Sequence, residues 1–202
     1  MDWLESFIKG VYLPNKAAYS RQCDAALKGA QHAALPVLGK AGNDGRLSID
    51  TINAINEQCG RLKYVSDPLG GLLDYYTHPE TTQWALNNNR QDIPCDCDDY
   101  AVYAVALARA CGIAWDKAWV WNLIINPSNQ ISQCWANHVI CGIEYWDGTR
   151  YWTAIIDTNS AARHQPWWFQ GDRAAVEQAV IANFSALYKV NYYKLIPVDW
   201  PF

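Results

Sequence analysis

Three residues of this chain, Cys97, His138 and Asp157, have the types and the order that thiol-based acyl transfer needs. Cys97 sits in the run Asp96-Cys97-Asp98-Asp99-Tyr100 and opens an apolar stretch, AVYAVALARAC, that ends at Cys111-Gly112. A cysteine in the first turn of a buried helix is placed where the helix dipole and free backbone N–H groups favour the thiolate and any oxyanion formed beside it. Asp98 and Asp99 fall in the same turn and complement the dipole, but their charge opposes the thiolate, so a partner base is required. A neutral imidazole hydrogen-bonded to a carboxylate supplies one, because the carboxylate holds the tautomer and stabilises the ring once it is charged. Taken alone, a buried cysteine is usually a packing residue. The other histidines, His32, His78 and His164, lack an equally placed acid, and Cys95, Cys111, Cys134 and Cys141 are worse placed as nucleophiles.

These three residues must be held by a helix and two strands. Pro94 cannot lie inside a helix, so the nucleophile helix starts after it, and Gly112 provides the left-handed residue that stops it. Lys117–Asn126 (KAWVWNLIIN) reads as a strand, followed by strands Trp135–Trp146 and Thr149–Thr158 joined by Asp147-Gly148, a two-residue hairpin signal. If those two residues are the loop, His138 stands directly opposite Asp157, and both side chains share one face. Both strands are apolar on both faces, which calls for helical cover on one side and partly on the other. The candidates are the nucleophile helix and a C-terminal helix from Asp172 to Tyr188 with Val176, Val180, Phe184 and Leu187 on one stripe. A last strand, YYKLIPV, completes the sheet, and the late Trp167-Trp168 segment reads as a loop.

Upstream, residues 1 to about 40 are alanine-rich helical stretches interrupted by Pro14 and Pro36. After the loop GKAGNDG, Ser48 or Asp50 caps a helix with Ile52, Ile55 and Cys59 on its buried stripe. The Asn43-Asp44-Gly45 turn lacks the acidic positions of a calcium loop. Thr77-x-x-Glu80 around Pro79 has the arrangement of a capped helix start, and the polar loop NNNRQDIP then leads to Cys97.

With 202 residues and 50% hydrophobic content, the chain can bury one substantial core. We divide it into a helical N-terminal extension, 1–45, and a catalytic domain, 46–202. A net charge of −4 without any basic run gives no electrostatic reason to expect nucleic acid or an anionic membrane as partner; a protein or peptide substrate is easier to accommodate. The seven cysteines have no disulfide-scaffold spacing and no zinc-site spacing, and read as reduced thiols. The sequence has neither a basic-then-apolar leader pattern nor a run of apolar residues long enough to span a bilayer, so the expectation is a cytoplasmic protein or part of a larger assembly.

The run DCDDYAVYAVALARACGI, the strand NHVICGIEYW and then IIDTN resemble the transglutaminase-like superfamily. With INAINEQCGRLKYVSD and DYYTHPETTQWAL upstream, the resemblance is to bacterial transglutaminase-like cysteine proteinases; here Cys95 replaces the glycine usual before the Asp-Cys pair. It implies an α+β, papain-like fold with Cys97 as nucleophile, His138 as general base and Asp157 as orienting acid. It also implies that the acids flanking the cysteine, Asp96 and Asp98, bind calcium, as they do in some of these proteinases; no other cofactor is required. The expected reaction is acyl transfer from a peptide or amide through a Cys97 thioester to water, with the Cys97 backbone N–H and the Gln91 side chain as oxyanion donors. Two alternatives stand beside it. One is a transglutaminase or amidase using the same triad. The other is a structural or assembly protein that keeps the fold and docks through tryptophan-rich surfaces, a reading that a site plugged by the Trp167-Trp168 loop would favour.

Overall fold

Alanine is the residue that lets a helix lie close on a sheet, and the nucleophile helix is built from it. The computed structural model describes residues 35–65, 77–90, 92–93, 95–125, 135–189 and 192–197. Helix α1 (Ile49–Cys59) starts at Ser48, whose Oγ accepts from the Thr51 amide, and buries Ile52, Ile55 and Cys59. Helix α2 (Pro79–Asn87) has its proline in the first turn. His78 is the N-cap residue, and the Thr77 amide before it donates to Asp99 Oδ1 at 2.7 Å. Helix α3 (Cys97–Ala110) is the helix expected to carry the nucleophile. Its alanines 101, 104, 106 and 108 are fully buried beside Val105 and Leu107, and Gly112 just beyond it takes φ 85°.

Strands β1 (Ala118–Ile125), β2 (Trp135–Trp146) and β3 (Tyr151–Ile156) follow, then the short helix α4 (Thr158–Ala162), strand β4 (Trp167–Gln170), helix α5 (Glu177–Tyr188) and strand β5 (Tyr192–Pro197). The sheet is antiparallel throughout, in the order β4-β3-β2-β1-β5. The class is therefore α+β, and no described helix is long and apolar enough to cross a membrane.

Both faces of the sheet are covered. On one, α1 and α3 pack over Val120, Cys141, Ile143, Ala154 and Ile156. On the other, Val176, Val180, Ile181 and Phe184, on α5 and just before it, pack over Trp119, Trp121, Leu123, Ile140 and Ile155. Each fully buried aliphatic side chain contributes about 1.5–3 kcal/mol relative to exposure, so either layer alone is a substantial fraction of the fold's stability. Residues 35–47 belong to the first layer: Leu35 and Leu47 are buried in it, and the Ala41 amide donates to the Cys111 carbonyl at 2.8 Å. Arg46 Nη2 and Lys117 Nζ both reach Glu144 Oε1 on β2, at 2.8 and 3.1 Å.

The structure corrects several sequence expectations. The β2–β3 turn is shifted by one residue: the Asp147 amide donates to the Arg150 carbonyl, leaving Gly148 and Thr149 at the tip with Gly148 at φ 98°. The cause is the Asp147 carboxylate, which accepts from the Thr149 and Arg150 amides, the Thr149 hydroxyl and Trp152 Nε1, and so holds Asp147 before the tip. Strand β3 stops at Ile156 because Asp157 caps α4, a helix not expected from the sequence. Trp167 and Trp168 lie in an edge strand, not a loop. Helix α5 begins at Glu177 and not at Asp172, whose carboxylate caps the turn before it, and Leu187 is exposed.

Candidate functional site

Register decides how the histidine and the aspartate meet. The ladder runs Cys141↔Ile156, Gly142↔Ile155 and Ile143↔Ala154, and its continuation brings Asp157 level with Ile140 and not with His138. The expected direct opposition is thus a diagonal, displaced along β2 by one pleat. Side chains two residues apart on a strand share a face, so the displacement keeps both groups on the same side. His138 Nε2 lies 3.2 Å from Asp157 Oδ2. Both residues are buried, His138 with 6% of its surface exposed and Asp157 with none.

Asp157 is held from several directions. As N-cap of α4 it accepts at Oδ1 from the Ser160 amide (2.8 Å), while the Ser160 hydroxyl accepts from the Asp157 amide (2.8 Å). Trp167 Nε1 donates to the same Oδ1 at 3.1 Å, and Asn159 Nδ2 to Oδ2 at 3.1 Å. Ser160 is anchored in turn to Asn56 on α1. Burial pushes the Asp157 carboxyl up, but the hydrogen bond and charge of His138, with the donors of Ser160 and Asn159, outweigh it and hold the group below the usual carboxylate value.

The imidazole is framed by aromatic rings of α5: Phe184 at 5.4 Å and Tyr188 at 5.2 Å between centroids. This assigns the His138–Asp157 pair to the layer under α5. The body of α3 packs on the other face of the same sheet, over Cys141 and Ile143, with Cys97 in its first turn. A shift of register between Leu123 and Ile124, next to His138 in the β1–β2 ladder, interrupts the sheet at that end.

Cys97 itself occupies the first turn of α3. Asp96 is the N-cap and accepts from the Asp98 amide, and Asp99 reciprocates by accepting from the Asp96 amide at 3.0 Å, which forms a capping box. Among the described cysteines Cys97 alone is not buried; Cys59, Cys95, Cys111 and Cys141 are. Burial raises the Cys59 thiol far above its ordinary value, and burial followed by the charge of Asp99 does the same to Cys95. Neither is a nucleophile near neutrality. Gln91, the expected second oxyanion donor, lies outside the described residues, as do Cys23, His32 and Cys134.

Asp96, Cys97 and Asp98 bring one ligand atom each within 4.8 Å of one another. Two carboxylates suit a hard cation, but calcium takes six to eight oxygens and a thiol is a soft ligand, so further oxygens would have to come from outside this set.

Asn159, Ser160 and Tyr188 around the pair were not singled out from the sequence, and Trp167 was named only as part of a segment that would plug the site. Asp157-x-x-Ser160 after a β-branched run is a readable capping signature. Nothing local marks Trp167 or Tyr188, whose contacts with the pair span 10 and 50 residues.

No protein-family model matches the chain, and no curated protein gives a significant match. Among solved structures, the chain is similar to LapG of Legionella pneumophila in its EGTA-treated form, at 16% identity and a TM-score of 0.33 over 68% of this chain and 76% of LapG. The calcium-bound form of LapG gives the same identity and score over 58% of this chain and 62% of that one. Superpositions this loose assign neither a family nor a chemistry.

Proposed function

We propose that the chain is a thiol-dependent peptide or amide hydrolase on a papain-like, transglutaminase-like core. The observation that carries this reading is the buried His138–Asp157 pair, with the carboxylate locked by four donors. Because Nε2 meets Asp157, the base function falls to Nδ1. Nδ1 takes the Cys97 proton, the thiolate attacks the carbonyl carbon, and the Cys97 backbone N–H stabilises the oxyanion, with Gln91 as a second donor. Collapse expels the amine, which leaves with the proton from His138; water then attacks the thioester with His138 again as base. An amine in place of water would make the same triad a transamidase. Asp96 and Asp98 would be the acidic ligands of a calcium ion, which would offset their charge beside the thiolate.

A second reading, an assembly protein that keeps the fold and docks through tryptophan-rich surfaces, is favoured by one observation: Trp84 and Trp146 are exposed. A soft electrophile such as iodoacetamide separates the two. The hydrolase reading expects selective labelling of Cys97 near neutral pH, with His138→Ala slowing it by about 10²-fold, the scale of a positioned base. Labelling of Cys97 no faster than a free cysteine peptide, and indifferent to His138→Ala, would leave the assembly reading. With a responsive substrate in hand, Cys97→Ala is expected to abolish turnover while leaving the melting temperature nearly unchanged, since a residue at a helix start contributes little packing.

A further inference from the structure

Tyr188 ends α5 and sets its ring edge-on to His138. Its hydroxyl lies 3.4 Å from Nε2, the nitrogen that also meets Asp157. Asn159 joins the two oxygens: one amide N–H group donates both to Asp157 Oδ2, at 3.1 Å, and to the Tyr188 hydroxyl. A carboxylate is acceptor-only, so the bond to Asp157 requires Nε2–H, and the phenol oxygen, which has two lone pairs, can accept from that N–H beside the bond it receives from Asn159. Nε2 therefore faces two acceptors. The tautomer that satisfies both is Nε2–H, which leaves the lone pair on Nδ1. The Tyr188 hydroxyl stands at the Nε2 edge of the ring, beside the histidine–aspartate bond. Its ring stacks along Phe184, 6.1 Å between centroids, which completes an aromatic cover over the imidazole.

We propose that Tyr188, oriented by Asn159, is a positioning residue that fixes His138 in the Nε2–H tautomer and keeps water from the His138–Asp157 hydrogen bond. The consequence for catalysis rests on the hydrolase reading; the tautomer does not. Nitrogen-15 spectra of histidine-labelled protein, with His138 assigned by loss of its signals in His138→Gln, read the tautomer directly. The wild type is expected to show His138 as Nε2–H. Tyr188→Phe keeps the ring and its stacking, removes the oxygen, and is expected to shift His138 towards a mixture containing Nδ1–H and to slow Cys97 alkylation about five- to tenfold, the scale of one hydrogen bond. Asn159→Ala removes the donor to the Tyr188 hydroxyl and also one donor to Asp157 Oδ2, so it is expected to act in the same direction with the larger effect. Spectra taken at a temperature at which Tyr188→Phe is fully folded keep the readout independent of any loss of stability. Unchanged His138 nitrogen shifts in both variants would overturn the proposal, even if the alkylation rate fell, because that would mark a purely structural role. Failure of the hydrolase reading looks different: Cys97 would be unreactive in the wild type while the His138 shifts still responded to Tyr188→Phe.

Discussion

The two faces of the sheet are packed by different chemistry. Under α1 and α3 the contacts are aliphatic and small: Ile52, Ile55, the alanines of α3, Val120, Ile143 and Ile156. Under α5 large rings replace them, Trp119, Trp121 and Phe184, and the layer ends in a polar group of His138, Asp157, Asn159 and Tyr188. The first face is mainly an aliphatic core that asks for volume, with Tyr100 and Tyr103 the exceptions, hydrogen-bonded to the Leu62 carbonyl and to Gln83. The second holds an ionisable pair whose carboxylate oxygens each have two named donors, the condition under which buried polar groups specify one arrangement and not several. The comparison teaches where sensitivity to chemistry, as distinct from sensitivity to volume, is concentrated.

The largest expected difference comes from Asp157→Ala. It leaves His138, the Ser160 amide, Trp167 Nε1 and Asn159 without their shared acceptor in a fully buried place, and should cost about 3–5 kcal/mol in urea unfolding, the scale for breaking a buried pair. A variant as stable as the wild type would break the contrast between the faces. On the aliphatic side, Leu107→Ala should cost about 2–4 kcal/mol through its cavity and leave Cys97 labelling unchanged. Altered labelling there would show that α3 tunes the thiol through packing. Trp167→Phe keeps most of the ring and removes one donor to the carboxylate, so about 1–2 kcal/mol is expected, measured the same way. The smallest effect is a single proton. Asp157 is held below its unfolded value of about 3.9, so in acid the unfolded chain binds more protons than the folded one. Stability from this group is fully present above that value and is lost as the pH falls through the lower, folded one. Urea midpoints across the acid range should show this loss in the wild type and in Leu107→Ala, and a weaker one in Asp157→Asn; identical slopes in all three would sever the carboxylate from acid sensitivity.

Much of this was legible in the chain. The start of α3, its stop at Gly112, the Ser48 cap and the shared face of His138 and Asp157 follow from local rules of capping and strand alternation. The parity of the hairpin survived even though its turn moved, because the displacement was a whole pleat. What could not be read was which layer each strand face belongs to. Both faces of β2 are apolar, so alternation alone could not say that His138 lies with α5 while α3 takes Cys141 and Ile143. The ring of α5 over the imidazole was likewise hidden, since a contact between residues 138 and 188 leaves no trace in any window of sequence.

The junction at Glu144 has a lopsided architecture. One carboxylate oxygen receives both Arg46 and Lys117, which come from far-apart segments, so the acid is the common anchor and each cation is only one of two tethers. Losing either cation leaves the anchor occupied. Losing the acid removes the shared anchor: Arg46 keeps Asp44 and Lys117 keeps Asp116, so each cation stays paired on its own segment while the tie between the segment before α1 and the sheet is lost.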